Sequence, residues 1–471
     1  MTLDPTSFYR VLLSSVDDAE VVNAAQQSDL LFVRSVDQLA EDNPSARGRR
    51  LTAIEALNAY GRHVLAQVAA DGCALLAESA TAAGRVLRGR RELLNISPRE
   101  VARRAGVEPR VLDQAELSGR LPIQAYDAIA QALGLDERFI SFRSEPVGNE
   151  GIAFRLRTVG DEHPKMTGTA VSAIAEAAWV TLTQVRLEHA LGIVPPRTGI
   201  EPSSNYGSPG YPAYMHGTFL ARHAREMLDL DDGPVPSLRE LCEEEVGVPV
   251  VQTELGDAIA GVTVQAGERR AIVLNLSGRN RHVYVRRCTL AHELGHVLFD
   301  VSERLRDLRV DDYDGLEELP ARAPDPVEQR ANAFAVELIA PQADALDCYH
   351  AATEDPLGEV MDLFGISFTA ARYQVWNALD RSVPLENLTT SHREPAQCYE
   401  AAEAFTVDYH PIYGIPASRA GRFSAIVLRA AIERIVSWQT AAGYLRCTER
   451  DLRDAEPSLR NLFPTVFDRA P

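Results

Sequence analysis

Two histidines and a glutamate in the run 290–299, which reads LAHELGHVLF, are the most informative residues of this 471-residue chain. On a helix, residues four positions apart lie on one face, so His292 and His296 can present two imidazole nitrogens to one metal ion. Glu293, next to His292, can take a proton from a water molecule that the ion activates. The spacing therefore predicts a hydrolytic zinc site. The alternative is a buried core helix that contains the motif by chance.

A third protein ligand is expected, because a catalytic zinc ion usually has three protein ligands and a water. The best candidate is Glu328, near the start of the segment 326–341, which reads PVEQRANAFAVELIAP. Apolar residues such as Ala331 and Phe334 recur there at helical spacing, and Glu328 can project along the face that packs. Glu337 on the same helix is the alternative, although its late position favours a solvated face.

The elements before the histidine helix predict how the site is held. Three short strands rich in Val and Ile are predicted at 248–253, 261–265 and 271–276, after helices at 219–228 and 237–246. This order is typical of a compact α+β metallopeptidase. Residues 301–326, between the two ligand helices, are rich in Asp, Glu and Arg. They are interpreted as a loop that selects substrate or shields the metal, or as a plain solvated loop.

A second pattern lies at 85–142, where capping residues mark two short helices. Ser97 is a natural N-cap and Pro98 suits the first helical position. Gly106 ends that helix, and a second helix is predicted to begin near Pro109. Two short helices about a glycine turn, followed by a further amphipathic helix, predict a helix-turn-helix module.

The charge of this segment favours contact with DNA. Residues 85–120 contain nine Arg and five acidic residues, whereas the whole chain has a net charge of −19. A basic island in an acidic protein is typical of a DNA-contacting element. The residues predicted to contact DNA are Arg99, Arg110 and Gln114, although the second helix also carries three acidic residues. The alternative is a helical bundle used for dimerisation or protein recognition.

The two ligand segments together resemble the ImmA/IrrE family of bacterial metallopeptidases. The resemblance is carried by TLAHELGH at 289–296 and ExxANxFAxELxxP at 328–341. Residues 85–142 resemble the XRE class of helix-turn-helix. The family resemblance implies that His292, His296 and Glu328 bind zinc and that Glu293 is the general base. It also implies an endopeptidase with a narrow protein substrate, a transcriptional repressor or antitoxin, cut in a stress or phage-defence response.

Cys288 departs from the family pattern, which often has an aromatic residue at this position. Cys288 lies one helical turn before His292, so its thiolate could block the open coordination position of the zinc ion as a reversible inhibitor. The alternative is a small core residue. The group that stabilises the oxyanion is left open among Tyr284, Tyr313, Tyr349 and His350.

The predicted fold is multidomain. It has an all-α N-terminal part with the helix-turn-helix, then an α+β zincin-like metallopeptidase domain, then a helical C-terminal extension. The predicted domains are a helical segment at 1–84, the helix-turn-helix at 85–142, a helical connector and linker at 143–216, the metallopeptidase at 217–345 and a helical region at 346–471.

Composition limits the setting of this chemistry. The net charge argues against nucleic-acid or membrane binding over the whole surface. No apolar run approaches about 18 residues and no signal-peptide pattern occupies the first residues, so a cytoplasmic protein is expected. The six cysteines form no C-x-x-C pair and are expected to be free thiols. Zinc, a protein substrate and DNA are the predicted cofactor and partners, and a homodimer is a further prediction.

Two functions of different classes fit these patterns. The first is a zinc endopeptidase that carries a DNA-binding-type domain. The second is a metal-sensing XRE-family transcriptional regulator with little or no proteolytic activity. Glu293 favours the first, because a regulator that only binds metal has no need of a base.

Overall fold

A computed structural model divides the chain into two compact units. Met1–Val194 and His410–Pro471 form the terminal unit, and Pro195–Tyr409 form the central unit. The metal-ligand candidates all lie in the central unit. The structure describes residues 3–77, 79, 81–118, 121–139, 166–196, 198–200, 210–231, 233–266, 269–300, 308–312, 325–391, 397–403 and 410–468.

The N-terminal part of the terminal unit packs three helices with a small sheet. Its elements are α1 (Pro5–Leu13), α2 (Asp18–Gln27), β1 (Leu31–Arg34), β2 (Gln38–Glu41), β3 (Arg49–Thr52), α3 (Ala53–Asp71) and β4 (Cys73–Leu75). The strand order is β3-β1-β2-β4, with every neighbouring pair antiparallel. The prediction of an all-α segment at 1–84 is therefore corrected. Strands of three or four residues are too short to show a clear alternating pattern in the sequence.

Short helices follow in the region predicted to be a helix-turn-helix. They are α4 (Ala82–Leu93), α5 (Pro98–Ala105), α6 (Pro109–Ser118) and α7 (Ile123–Ala132), and the long helix α8 (Gly168–Ala190) comes later. α5 begins after Ser97, whose Oγ accepts a hydrogen bond from Glu100 N at 3.2 Å. Gly106 ends α5 in the left-handed region, with a φ of 69°. The predicted bounds of α5 are confirmed, and the use of these helices in DNA binding stays a prediction.

The central unit combines a four-stranded sheet with helices. Its elements are α9 (Ala213–Met227), two helical turns (Leu238–Glu240 and Leu241–Glu245), β5 (Val250–Thr253), β6 (Ile259–Ala266), β7 (Arg269–Asn275), α10 (Val283–Phe299), β8 (Leu308–Asp312), α11 (Pro326–Ile339), α12 (Gln342–Ala351), α13 (Pro356–Phe364), α14 (Phe368–Ala378) and α15 (Gln397–Glu403). The strand order is β5-β7-β6-β8, in which β5 is parallel to β7 and the other pairs are antiparallel. The three strands predicted before the histidine helix are confirmed as β5, β6 and β7, whereas β8 was not predicted.

The C-terminal helices belong to the terminal unit. They are α16 (Arg422–Ile432), α17 (Trp438–Leu445), α18 (Glu449–Asp454), α19 (Glu456–Leu462) and α20 (Pro464–Phe467). Glu55 of α3 accepts hydrogen bonds from Ser437 N at 2.8 Å and Thr440 Oγ1 at 2.5 Å. The predicted boundary between residues 345 and 346 does not coincide with a boundary between units, because α12 to α15 lie in the central unit and the terminal unit resumes at His410.

None of the helices in the described ranges is long and apolar enough to cross a membrane. All six cysteines are free thiols, as expected. Packing and polar contacts, without disulfides among these cysteines, therefore stabilise the two units.

Candidate metal centre

Two buried histidines and a glutamate meet at one point in the central unit. His292 and His296 lie one turn apart on α10, and Glu328 lies in the first turn of α11. The ligand atoms of the three side chains all fall within 4.8 Å of one another. The two Nε2 atoms of the histidines are 2.9 Å apart, and Glu328 Oε2 is 3.3 Å from His292 Nε2. Glu328 Oε1 is 3.9 Å from His296 Nε2.

The separations of these ligand atoms fit a tetrahedral metal ion. Ligand atoms that lie about 2.0–2.1 Å from zinc at tetrahedral angles are roughly 3.3 Å from one another. The separations of 2.9, 3.3 and 3.9 Å bracket that value. Two imidazoles and one carboxylate also match the three-ligand sets of hydrolytic zinc sites. Both the donor types and their spacing therefore fit zinc.

The outer nitrogens of both imidazoles have acceptors that fix the orientation of the rings. His292 Nδ1 is 2.8 Å from Asn332 Oδ1, and His296 Nδ1 is 2.9 Å from Asp300 Oδ2. Because those oxygens accept, each Nδ1 carries the proton and each Nε2 presents its lone pair to the shared point. Arg330 binds the other oxygen of Asp300, so this carboxylate is held from two sides.

Close packing between α10 and α11 sets the spacing of the ligands. A Cβ added to Gly295 of α10 would lie 2.8 Å from a ring carbon of Phe334 on α11. Leu290 and Leu294 of α10 are buried in the apolar core of the unit, and so is Leu338 of α11. A larger side chain at Gly295 would push the two helices apart, and with them the histidines and Glu328.

Glu293 is fully buried and is held by β6. Its Oε2 accepts a hydrogen bond from Thr263 Oγ1 at 2.7 Å. A Cβ added to Gly261, two residues earlier on the strand, would lie 2.4 Å from Glu293 Oε1. Glycine at 261 therefore leaves the room that this carboxylate occupies. Glu293 follows His292 in the sequence and is not among the three metal-ligand candidates.

The two glutamates considered for the third ligand have different surroundings. Glu328 lies beside both histidines. Glu337 accepts hydrogen bonds from Arg222 Nε at 2.7 Å and from Gln374 Nε2 at 2.8 Å. The geometry therefore favours Glu328 as the ligand, whereas Glu337 links α11 to α9 and α14.

Sequence reasoning missed the outer partners of the histidines, although helical spacing contains part of the signal. Asp300 follows His296 by four residues, and Asn332 follows Glu328 by four, so each lies one turn beyond a ligand candidate. Arg330 has no such relation to a ligand. Its contact with Asp300 arises only because α11 packs beside the end of α10.

Comparison with known families bears on this part of the chain. Residues 243–375 match the family model of the IrrE N-terminal-like domain, Peptidase M78. The match includes β5, β6, β7 and both ligand helices. This similarity supports a metallopeptidase domain, in agreement with the resemblance of the ligand segments. Residues 85–142 lie outside the match, and comparison with curated proteins finds no match.

Cys288 lies within the IrrE-like region, on the α10 turn before His292. Its Sγ is 4.0 Å from the Oγ of Ser367, the N-cap of α14, and its side chain packs beside the apolar core. Burial raises the pKa of the Cys288 thiol, which lowers the thiolate fraction available to a metal. The inhibitory role stays a prediction, and this packing favours the alternative of a small core residue.

The candidates for the oxyanion donor occupy different environments in the IrrE-like region. Tyr284 is buried, and its hydroxyl donates to Asp362 Oδ1 at 2.7 Å. Tyr349 is half-buried beside the core, and His350 is exposed. Tyr313 lies outside the described residues. No choice among the four follows from these positions.

The three residues predicted to contact DNA are exposed, Arg99 on α5 and both Arg110 and Gln114 on α6. Several neighbouring arginines form ion pairs within the terminal unit. These pairs are Arg88–Glu92 at 2.8 Å, Arg91–Glu116 at 2.6 Å, Arg103–Glu100 at 2.5 Å and Arg104–Glu176 at 3.4 Å. Four of the nine arginines counted at 85–120 are thus balanced by carboxylates. This pairing reduces the positive potential available to DNA.

Proposed function

We propose that the central unit is a zinc-dependent endopeptidase. The observation that carries the proposal is the convergence of His292 Nε2, His296 Nε2 and the Glu328 carboxylate, with both Nδ1 atoms directed to outer acceptors. Imidazoles held in this way are prepared to bind a cation. Glu293 adds a buried carboxylate beside them, which a site built only to bind metal does not need.

The residues around the ion divide the chemistry between them. Zinc held by His292, His296 and Glu328 would supply the charge that polarises the scissile carbonyl and acidifies a water molecule. Glu293 would accept a proton from the attacking water and donate it to the leaving amine. Thr263 holds one oxygen of Glu293 by its hydroxyl, and Gly261 leaves room for the other. Asp300 and Asn332 keep the ligand rings in place, and burial strengthens the interactions among these charges.

The proposed substrate is a specific transcriptional repressor or antitoxin, cut in a stress or phage-defence response. This part rests on the family resemblance of the ligand segments and on the helix-turn-helix pattern at 85–142. The exposure of Arg99, Arg110 and Gln114 supports a contact surface on α5 and α6 for DNA or a DNA-bound protein. The same exposure is the one observation that favours the alternative, a metal-sensing regulator, and the ion pairs of the neighbouring arginines weaken it.

Loss of the proposed base provides the test of proteolysis. New protein N-termini are compared in host cells that express the wild type or Glu293→Gln, with and without DNA damage. Gln keeps the size of the side chain and leaves the metal-ligand candidates intact, but it cannot accept the proton. We expect termini that appear only with the wild type, and their sequences identify the substrate. If no such termini appear under any condition, the endopeptidase is rejected in favour of the regulator.

The metal ligands are tested by a matched pair of substitutions on α11. Glu328→Gln should weaken zinc binding strongly because it removes the anionic ligand. Glu337→Gln should leave zinc affinity unchanged, because Glu337 contacts Arg222 and Gln374 instead. Zinc affinity is measured by competition with a zinc indicator on the purified protein. Equal affinities in the two variants would contradict the role of Glu328.

A further inference from the structure

The outer edge of β6 is occupied by a strand of the chain itself. β6 pairs with β7 along one edge and with β8 along the other, both antiparallel. β8 comes from the segment between the two ligand helices, which was interpreted as a loop. The residues that face each other across β6 and β8 are Gly261 and Asp311, Val262 and Val310, Thr263 and Arg309, and Val264 and Leu308.

The part of β6 that β8 covers is the part that holds the proposed base. Thr263 donates to Glu293 Oε2, and Gly261 lies directly against Glu293 Oε1. The register between the strands also shifts between Ile259 and Gly261, as at a β-bulge or a similar irregularity. Bulges are frequent next to active sites, where they redirect an edge strand. This edge therefore has the features of a strand that borders a reaction site.

An extended peptide can pair with the part of β6 that contains Gly261 and Thr263 only along the outer edge of that strand. Neighbouring strands lie about 4.8 Å apart, so a chain that pairs with β6 passes close to Glu293. A chain that pairs outside β8 instead lies about 10 Å from β6. β7 fills the inner side of β6, and β8 fills the outer side. An extended substrate and β8 therefore compete for the same position.

We propose that β8 is an inhibitory strand: it occupies the outer edge of β6, on which an extended substrate would pair, and it must leave this edge before a peptide can bind there. The inference rests on the proposed endopeptidase function and adds a way in which the chain regulates it. Main-chain hydrogen bonds supply the affinity in strand addition. Occupation by β8 keeps the basal activity low until a substrate or a signal displaces it.

The properties of β8 suit a strand that is exchanged. It has five residues and, in the described part of the sheet, pairs with β6 alone. Its sequence, LRVDD, ends in two aspartates, a residue type that is unfavourable in strands. A short edge strand of this composition contributes little stability beyond its backbone hydrogen bonds. Displacing it therefore costs the sheet less than displacing β5 or β7.

Two proline substitutions in β8 provide a test in which one is the control for the other. In an antiparallel pair, consecutive residues alternate between bonding to the partner strand and facing away from it. One of the two variants, Arg309→Pro or Val310→Pro, therefore removes a hydrogen bond to β6, and the other removes an N–H that points away. Only the variant that loses the hydrogen bond, here called pairing-defective, should release β8 from the edge.

Two metal-binding probes report on the edge and on the metal separately. Acetohydroxamate binds the zinc alone, whereas a peptide hydroxamate with an extended peptide arm also needs the edge of β6. We expect the pairing-defective variant to bind the peptide hydroxamate about tenfold more tightly than wild type, which corresponds to β8 being paired in about nine of ten wild-type molecules. Acetohydroxamate affinity should be equal in the wild type and both variants.

A third variant keeps the test independent of proline folding defects. Replacing 301–324 with an equally long Gly/Ser linker removes β8 and should reproduce the tighter binding of the peptide hydroxamate. If the linker variant binds this probe no better than wild type, or binds it more weakly, β8 does not compete with substrate and the inference is overturned. Failure of the proposed function is distinguishable, because the wild type would then bind zinc and acetohydroxamate yet produce no protein N-termini that Glu293→Gln lacks.

Discussion

Asp300 offers a direct measure of how the outer partners of the histidines act on the metal centre. Its two oxygens have separate contacts, since Oδ2 lies 2.9 Å from His296 Nδ1 and Oδ1 binds Arg330. Asp300 is fully buried, and Arg330 is only 2% exposed. Asp300→Asn keeps the shape and one acceptor oxygen but removes the charge. The substitution should therefore change both the zinc affinity and the free energy of unfolding.

The two effects of Asp300→Asn should differ in size. Zinc affinity should fall about tenfold, the lower end of the roughly 10–100-fold range for outer partners of metal-ligating histidines. The lower end is expected because the amide oxygen can still accept from His296 Nδ1, and tenfold corresponds to about 1.4 kcal/mol. The free energy of unfolding of the metal-free protein should fall by about 3–5 kcal/mol, because buried Arg330 loses its balancing carboxylate.

The double variant Asp300→Asn/Arg330→Gln separates the two effects. Removing both charges leaves no buried cation unbalanced, so most of the unfolding free energy should return while zinc affinity stays weak. Zinc affinity is measured by competition with a chromophoric chelator, and stability by urea unfolding without metal. If the double variant recovers zinc affinity together with stability, Asp300 acts through the fold and not through His296. Unchanged zinc affinity in Asp300→Asn would also refute the claim that Asp300 acts on the metal centre through His296.

Three further predictions concern other parts of the chain. Gly261→Ala places a Cβ 2.4 Å from Glu293 Oε1 and should lower turnover by about 100-fold, with zinc affinity unchanged in the indicator assay. Burial lowers the pKa of His410 from 6.5 to about 4, so between these values the unfolded chain binds a proton that the native state does not. The free energy of unfolding should fall by up to about 3 kcal/mol as the pH drops through this range. In His410→Gln, the urea midpoint should not show this fall. A chain that ends at Tyr409 should lose protease resistance in the terminal unit, because Glu55 then loses its contacts with Ser437 and Thr440. It should still bind zinc, because the ligand candidates lie in the central unit.

Features that depend on contacts between near neighbours were predictable from the sequence. Ser97 and Gly106 bound α5 because a cap is made by residues three or four positions apart. The pairing of His292 and His296 was predictable for the same reason, since one turn of helix brings both rings to one face. Placing Glu328 beside them needed more, because it depends on how α10 and α11 pack. Spacing alone left Glu337 open, and only the packed structure separates the two.

Features that depend on distant contacts were not predictable. The sheet of the terminal unit pairs Leu39 of β2 with Ala74 of β4, across the whole of α3. β8 was hidden for a similar reason, because LRVDD is charged and short and forms a strand only where β6 offers an edge. The outer partner Arg330 also depends on packing between helices. These residues carry no local pattern that marks their role.

The contacts of Glu176 show how a charge count along the sequence can mislead. Its buried carboxylate lies 3.4 Å from Arg104 of α5, 2.6 Å from Arg419 and 2.9 Å from Arg446. Burial by itself would raise the pKa of Glu176, but the three arginines outweigh it and lower the pKa, so the carboxylate stays charged. Arg104, counted with the basic island, thus serves to join α5, α8 and the C-terminal segment. A basic stretch indicates DNA affinity only after such internal pairs are subtracted. Among the five arginines of 85–120 outside these four pairs, Arg99 and Arg110 are the predicted DNA contacts to test.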